Sequence, residues 1–214
     1  NGFVKYKEWG NFRFKLPSDP PDISEAKKLL ESLDAEFKTL NMGDKRQIIE
    51  YSNLVQNSFL THFGYNPREF ISVTDAFPKR ILMRVISYLG RIKIYVGRYR
   101  SGGIFGFVSY HPNYNAVLKS TGLPKLGFNP IFILKLARSL YRCDKAQIGG
   151  LAVDEAMRGR GIASTLANYL LEILIKEGYK EIDLGPILTE NLPVAKVIER
   201  IFKNFGNMIQ MKYY

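Results

Sequence analysis

The stretch Arg158-Gly159-Arg160-Gly161-Ile162-Ala163-Ser164 brings two arginines and two glycines to a point where one periodicity gives way to another. Before it, Ile148 to Val153 is a short apolar run of strand length. After it, Ile162, Leu166, Tyr169, Leu170, Ile173 and Leu174 recur on one face of a 3.6-residue period. The glycines therefore fall at a helix N-terminus. Unpaired backbone N–H groups and the positive end of the helix dipole converge there, glycine lets the backbone approach an anion, and Ala163 keeps the first turn unobstructed. A diphosphate ligand is the natural guest of such a junction.

Spacing separates the common phosphate-binding motifs. A P-loop needs Lys after its last glycine, whereas Ile162 follows Gly161, which argues against a nucleoside triphosphatase. The dinucleotide fingerprint is partly met. Gly159 and Gly161 are in place, but Ser164 stands where the third glycine belongs, and Asp154 to Arg158 separate the loop from the strand. Asp183, near the end of the next strand, keeps that reading open. A third pattern, Arg/Gln-x-x-Gly-x-Gly/Ala after a Leu-x-Val strand, is met by Arg158, Gly161, Ala163, Leu151 and Val153. A plain α/β loop whose glycines serve only packing would carry the same residues.

Through Leu151-Ala152-Val153-Asp154-Glu155-Ala156-Met157-Arg158-Gly159-Arg160-Gly161-Ile162-Ala163 the chain resembles the GNAT superfamily of acyl-CoA-dependent N-acyltransferases. Leu184 to Glu190, then Asn191, Pro193 and a helix from Val194 to Phe205, is similar to the superfamily's later strand, its pantetheine-contacting Asn and the following helix. A helical pair before the hairpin Lys93 to Tyr110 extends the likeness upstream. The resemblance implies an α/β (α+β mixed) fold: a strongly twisted mixed sheet of six or seven strands flanked by helices. It implies a single domain over 1–214, with 1–40 as a strand-and-helix extension and 111–145 as a helical insertion before the cofactor-binding strand.

It also implies acyl transfer from acetyl-CoA, or another acyl-CoA, to an amine on a small molecule or peptide, with no metal. Backbone N–H groups from Arg158 through Gly159, Arg160, Gly161, Ile162 and Ala163 to Ser164 would hold the pyrophosphate. Leu151, Ala152 and Val153 would bind the pantetheine amides as an added strand, and Asn191 would fix the pantetheine arm. A backbone N–H near Val153 would stabilise the oxyanion, and positioning would supply most of the rate. An ammonium acceptor must lose a proton, and the leaving thiolate can take one from a phenol.

Two titrating groups expected from the resemblance are missing. Ile198 stands where many members carry the Tyr that protonates the thiolate, and Gln147 where several keep a carboxylate base. Substitutes are expected in Tyr110 and His111 at the end of the hairpin, then Asp183, Glu190, and Tyr213 or Tyr214. Each has a plainer reading: a strand Tyr in the core, a His before Pro in a surface turn, Glu190 as a helix cap.

The elements that must position these groups read as follows. Asn11 to Leu16 alternates as a first strand and breaks at Pro17, Pro20 and Pro21. Asp22 or Ser24 caps a helix with Ala26, Leu29, Leu30 and Leu33 on one face. Asp44 and Gln47 resemble a capping box before the stripe Ile48, Tyr51, Val55 and Phe59. Phe77 to Tyr88 reads as a third helix, and Arg91–Tyr99 with Gly103–Tyr110 as a hairpin. Within 111–145, Asn129-Pro130 starts a helix whose apolar stripe is Phe132, Ile133, Leu136, Ala137 and Leu140, with Lys135, Arg138 and Arg142 on another side.

A length of 214 residues with 46% apolar content suits a soluble enzyme with a sizeable core. The single Cys143 excludes an intramolecular disulfide and points to a reducing compartment. No apolar run approaches the roughly 18 residues of a membrane span, and no signal-peptide pattern is visible, so the cytoplasm is expected. The net charge of +11 is local: between Ala76 and Val153 thirteen Lys or Arg face Asp144 alone. Such a field attracts CoA phosphates, an acidic acceptor, nucleic acid or an anionic membrane. Two alternatives follow: a weak or inactive basic binding module for nucleic acid or membrane, or a long-chain acyltransferase working at a membrane surface. A homodimer is compatible with all of these.

Overall fold

Alternating strands and amphipathic helices assemble into a mixed α/β fold, seen in a computed structural model that describes residues 9–59, 88, 91–121, 130–188, 196, 198 and 208–213. The strands are β1 (Trp9–Lys15), β2 (Ala35–Thr39), β3 (Lys93–Tyr99), β4 (Ile104–Pro112), β5 (Lys145–Val153), β6 (Glu181–Leu188) and β7 (Met208–Tyr213). Among the described residues they form one seven-stranded sheet in the order β2-β3-β4-β5-β6-β1-β7. The pairs β2–β3, β3–β4, β1–β6 and β1–β7 are antiparallel, and β5 runs parallel to β6. The helices are α1 (Ser24–Ser32), α2 (Lys45–Phe59), α3 (Tyr114–Thr121), α4 (Pro130–Arg142) and α5 (Ile162–Lys176).

The chain divides into two compact units. The unit made of 22–111 and 150–170 carries the glycine-rich loop. Its core has two apolar clusters: Leu30, Ala35, Phe105, Val153, Met157, Ile162 and Leu166, and Leu40, Leu54, Val55, Val96, Phe107 and Ala152. The close approach of its layers is visible at Gly106, where a Cβ would lie 2.8 Å from Leu166 Cδ1 and 3.2 Å from the Ala152 carbonyl. β2 is not marked by periodicity, because Glu36 and Lys38 dilute its pattern. Ala35 is nonetheless buried, and Phe37 stacks on Tyr95 at 5.4 Å. An edge strand is stabilised by such cross-strand contacts more than by propensity.

Helix starts differ in detail from expectation. Ile23, not Asp22 or Ser24, occupies the N-cap of α1, and the Asp22 carboxylate accepts the Ser24 N–H at 2.8 Å. At α2 Asp44 caps as expected, accepting the Arg46 N–H at 2.9 Å, but Gln47 accepts the N–H of Asn41 at 3.1 Å and not that of Asp44, so the reciprocal half of the box is replaced by a bond to the preceding turn. These backbone N–H bonds, first of all, hold the Asp22 and Asp44 carboxyls below the ordinary carboxylate value.

The unit made of 1–21, 112–149 and 171–214 contains β1, α3, α4, the start of β5, the end of α5, β6 and β7. Its buried apolar residues include Phe14, Val117, Ala146, Leu171, Leu174 and Ile182. α3 and α4 occupy the segment read from sequence as a helical insertion. On α4, Phe132, Leu136 and Leu140 are half-buried, but Ala137 is exposed, contrary to its place in the expected stripe. Among the described residues no helix is long and apolar enough to cross a membrane.

Candidate functional site

The loop between β5 and α5 is shaped by local bonds. Asp154 leaves the strand with its N–H on the Phe105 carbonyl at 2.8 Å, and its side chain accepts the Ala156 N–H at 2.9 Å. That cap starts the short 3-10 turn Glu155–Met157, which Met157 anchors in the core. Arg158 then runs extended, and its Nε donates to the Val153 carbonyl at 3.4 Å, folding the arginine back toward the strand end. Gly159 and Gly161 follow at φ of 77° and 80°, a region that L side chains avoid.

These glycines are required by dihedral angle and not by crowding: a Cβ at either would meet nothing within 4 Å. The direction a Cβ would take at each of them is open. The Thr165 N–H closes the first turn on the Gly161 carbonyl at 3.0 Å. The N–H groups of Ile162, Ala163 and Ser164 precede the first acceptor within the helix. Arg158, Gly159 and Arg160 are exposed around them. Partial positive charge, two exposed arginines and two glycines that no neighbour crowds thus meet at one helix end.

Leu151, Ala152 and Val153 lie in β5 of the same unit, directly before this loop. The recorded β5–β6 ladder consists of Lys145↔Glu181, Ala146↔Ile182 and Gln147↔Asp183, so Leu151–Val153 lie beyond its last pair.

The titrating candidates sit in contrasting surroundings. Tyr110, on β4, is fully buried and stacks on Tyr95 at 6.2 Å with the rings 7° from parallel. His111 follows it on β4 and is half-buried. Asp183, on β6, is 5% exposed, and its carboxylate is already engaged. Oδ2 accepts from Arg13 Nη2 at 3.1 Å and from Asn113 Nδ2 at 3.2 Å, and Oδ1 accepts the Gly185 N–H at 2.9 Å. Tyr213 is in β7. Glu190, Asn191 and Tyr214 lie outside the described residues, as does most of the helix read over 77–88.

Asn113 is a residue that sequence reasoning missed. It is 2% exposed and ties three segments together. Its N–H reaches the Lys145 carbonyl at 2.8 Å, its Oδ1 accepts the Ala116 N–H at 3.0 Å, and its amide donates to Asp183. The signal that could have found it is an Asn directly before the helix Tyr114–Thr121, a capping side chain by type. The basic segment is partly neutralised by acids outside it. Arg100 pairs with Asp34 at 3.6 Å, Lys145 with Glu181 at 2.8 Å, and Arg98 lies 4.0 Å from Glu36.

Comparison with known proteins agrees with this architecture. A model of the acetyltransferase (GNAT) family matches residues 74–202. No curated protein matches the chain. Among solved structures, the chain is similar to a GCN5-related glucosamine N-acetyltransferase region in a fungal multi-domain GH3 beta-N-acetylglucosaminidase. The TM-score is 0.53 and the identity 11%, over 98% of this chain but 20% of that one. A Drosophila protein aligns with a TM-score of 0.49 and 12% identity, over 99% of this chain and 52% of that one. An N-acetyltransferase from Staphylococcus aureus Mu50 gives a TM-score of 0.50 and 16% identity, over 78% of this chain and 81% of that one. This chain thus spans only a fifth to about half the length of the first two. At such identities the structures speak for the fold alone, but the family match spans more than half the sequence and includes the glycine-rich loop, so the chain belongs to the acetyltransferase (GNAT) family.

Proposed function

We propose that this chain moves an acyl group, acetyl in the first instance, from acyl-CoA to an amine on a small molecule or peptide. The observation that carries the reading is the pair of left-handed, uncrowded glycines at the head of α5, with Arg158 and Arg160 exposed beside them. Three features support the fit to a diphosphate: helix-end N–H groups, cationic flanks and glycines that no neighbour crowds. Backbone N–H groups from Gly159 to Ser164 would hold the diphosphate. The backbone of Leu151, Ala152 and Val153 would take the pantetheine amides, and Asn191 would steady that arm. CoA supplies a thioester: the amine nitrogen bonds to its carbonyl carbon, the carbon–sulfur bond breaks, and the thiolate leaves.

The chain's own residues must hold the acceptor amine, accept its protons and return one to the thiolate. Among the candidates, Tyr110 is enclosed and Asp183 is held by an arginine, so His111, half-buried at the end of β4, is the one we place first. Asp183 serves in this reading as the structural acceptor for Arg13 and Asn113, and Glu190 remains the second proton carrier to test.

Calorimetry with CoA, acetyl-CoA and longer acyl-CoAs tests the reading, together with an amine screen that follows released thiol. Binding that is lost in Arg158→Glu supports it, whereas no binding of any acyl-CoA at millimolar concentration removes it. For His111→Gln a fall in kcat with an unchanged KM for acyl-CoA is expected, along with loss of one limb of the pH–rate profile. An unchanged profile would free His111 of the role.

A further inference from the structure

The helix α4 presents one face that mixes large apolar and basic side chains. Ile131, Leu134 and Tyr141 are 64%, 71% and 79% exposed, and the neighbouring side chains Lys135, Arg138 and Arg142 are exposed as well. At 3.6 residues per turn these six positions fall within an arc of roughly 120°. The opposite side of the helix, Phe132, Leu136 and Leu140, is half-buried. The whole stretch from Tyr114 to Arg142 contains no Asp or Glu, and among the described residues no ion pair is recorded for Lys135, Arg138 or Arg142.

Apolar side chains exposed to this degree gain by transfer to an apolar boundary, and the cations on the same arc state what charge that boundary must carry. We propose that this face of α4 docks the protein on an anionic lipid surface, with Leu134, Ile131 and Tyr141 entering the headgroup boundary and Lys135, Arg138 and Arg142 meeting lipid phosphates. The other occupants fit less well. A second copy joined symmetrically at this face would set the same three cations of each chain against one another. A nucleic acid would meet the cations but leave Ile131 and Leu134 against a charged backbone. The mixture of apolar and basic side chains on one arc matches the lipid interface, where both kinds are satisfied together. The proposal does not depend on the acyltransferase reading.

The test uses the full chain with phosphatidylcholine vesicles, with and without phosphatidylserine, in a flotation assay. Binding is expected only to the anionic vesicles and falls as salt is raised. The variant Lys135→Gln/Arg138→Gln/Arg142→Gln should bind roughly a hundredfold more weakly, about fivefold per cation. Leu134→Ser should bind roughly tenfold more weakly at salt that already screens the cations. Both changes are on exposed positions, and unchanged thermal melting verifies folding. Three results overturn the proposal: no binding to anionic vesicles by the unaltered chain, equal binding to neutral ones, or no effect of either variant. A fourth is tight binding of duplex DNA or RNA that the charge variant loses and Leu134→Ser retains, which would make the face a nucleic-acid surface.

Discussion

Replacing Gly161 by Ala isolates the dihedral requirement of the loop from every steric effect. Gly161 sits at φ of 80°, and a Cβ added there meets nothing within 4 Å, so the methyl group clashes with no neighbour. What it does is penalise the left-handed backbone by about 1–2 kcal/mol. In the free protein the exposed turn can relax and escape most of that cost, so the melting temperature should scarcely change. Binding a diphosphate demands the original conformation, because the N–H groups of Ile162, Ala163 and Ser164 converge only when the turn enters α5 as it does here. The strain then appears in the binding equilibrium, and about 1–2 kcal/mol corresponds to CoA affinity weaker by about 5- to 30-fold. Gly159→Ala, at φ of 77°, should behave alike. Titration calorimetry with CoA, beside a thermal melt of each variant, reads both quantities. Affinity equal to that of the unaltered protein in both variants would refute the reasoning, since the loop would then not be the diphosphate site. A large drop in melting temperature would refute the claim that the turn relaxes.

Gly106→Ala should do the reverse, lowering stability by about 1–3 kcal/mol in urea denaturation, because its Cβ would fall 2.8 Å from Cδ1 of the fully buried Leu166 and 3.2 Å from the Ala152 carbonyl, and the packed core must shift to admit it. Asp183→Ala leaves the Arg13 guanidinium and the buried Asn113 amide without an acceptor. A loss of about 2–4 kcal/mol is expected, at the lower end because the Arg13 side chain is 34% exposed, and an unchanged urea midpoint would contradict it. The Asp44 carboxyl is held below its ordinary value of 3.8, so its contribution is complete above that pH and is lost as the pH falls through the lowered value. The melting temperatures of the parent and Asp44→Asn should therefore differ near neutrality and converge in acid.

What was legible in the chain is what neighbouring residues settle among themselves. The change from the apolar run ending at Val153 to the 3.6-residue stripe beginning at Ile162 marks a strand and a helix, and the glycines between them lie at the positive-φ turn that joins the two. The Asp44 cap of α2, and the start of α4 at Pro130, are equally local. They follow from backbone dihedrals and from hydrogen bonds that span only a few residues.

The tertiary structure decided whatever depends on distant partners. Ala35–Thr39 becomes a strand because β3 lies beside it, despite the charges of Glu36 and Lys38. Asp183, a candidate proton carrier by type, is drawn into an ion pair with Arg13, 170 positions away, and a hydrogen bond from Asn113, 70 away. Burial encloses Tyr110 while leaving its neighbour His111 part-exposed, and it turns Ile131, Leu134 and Tyr141 outward on a helix apolar on more than one side. Local pattern tells a side chain its periodicity, but which face is covered depends on the chain that folds against it, and no short window of sequence contains that chain.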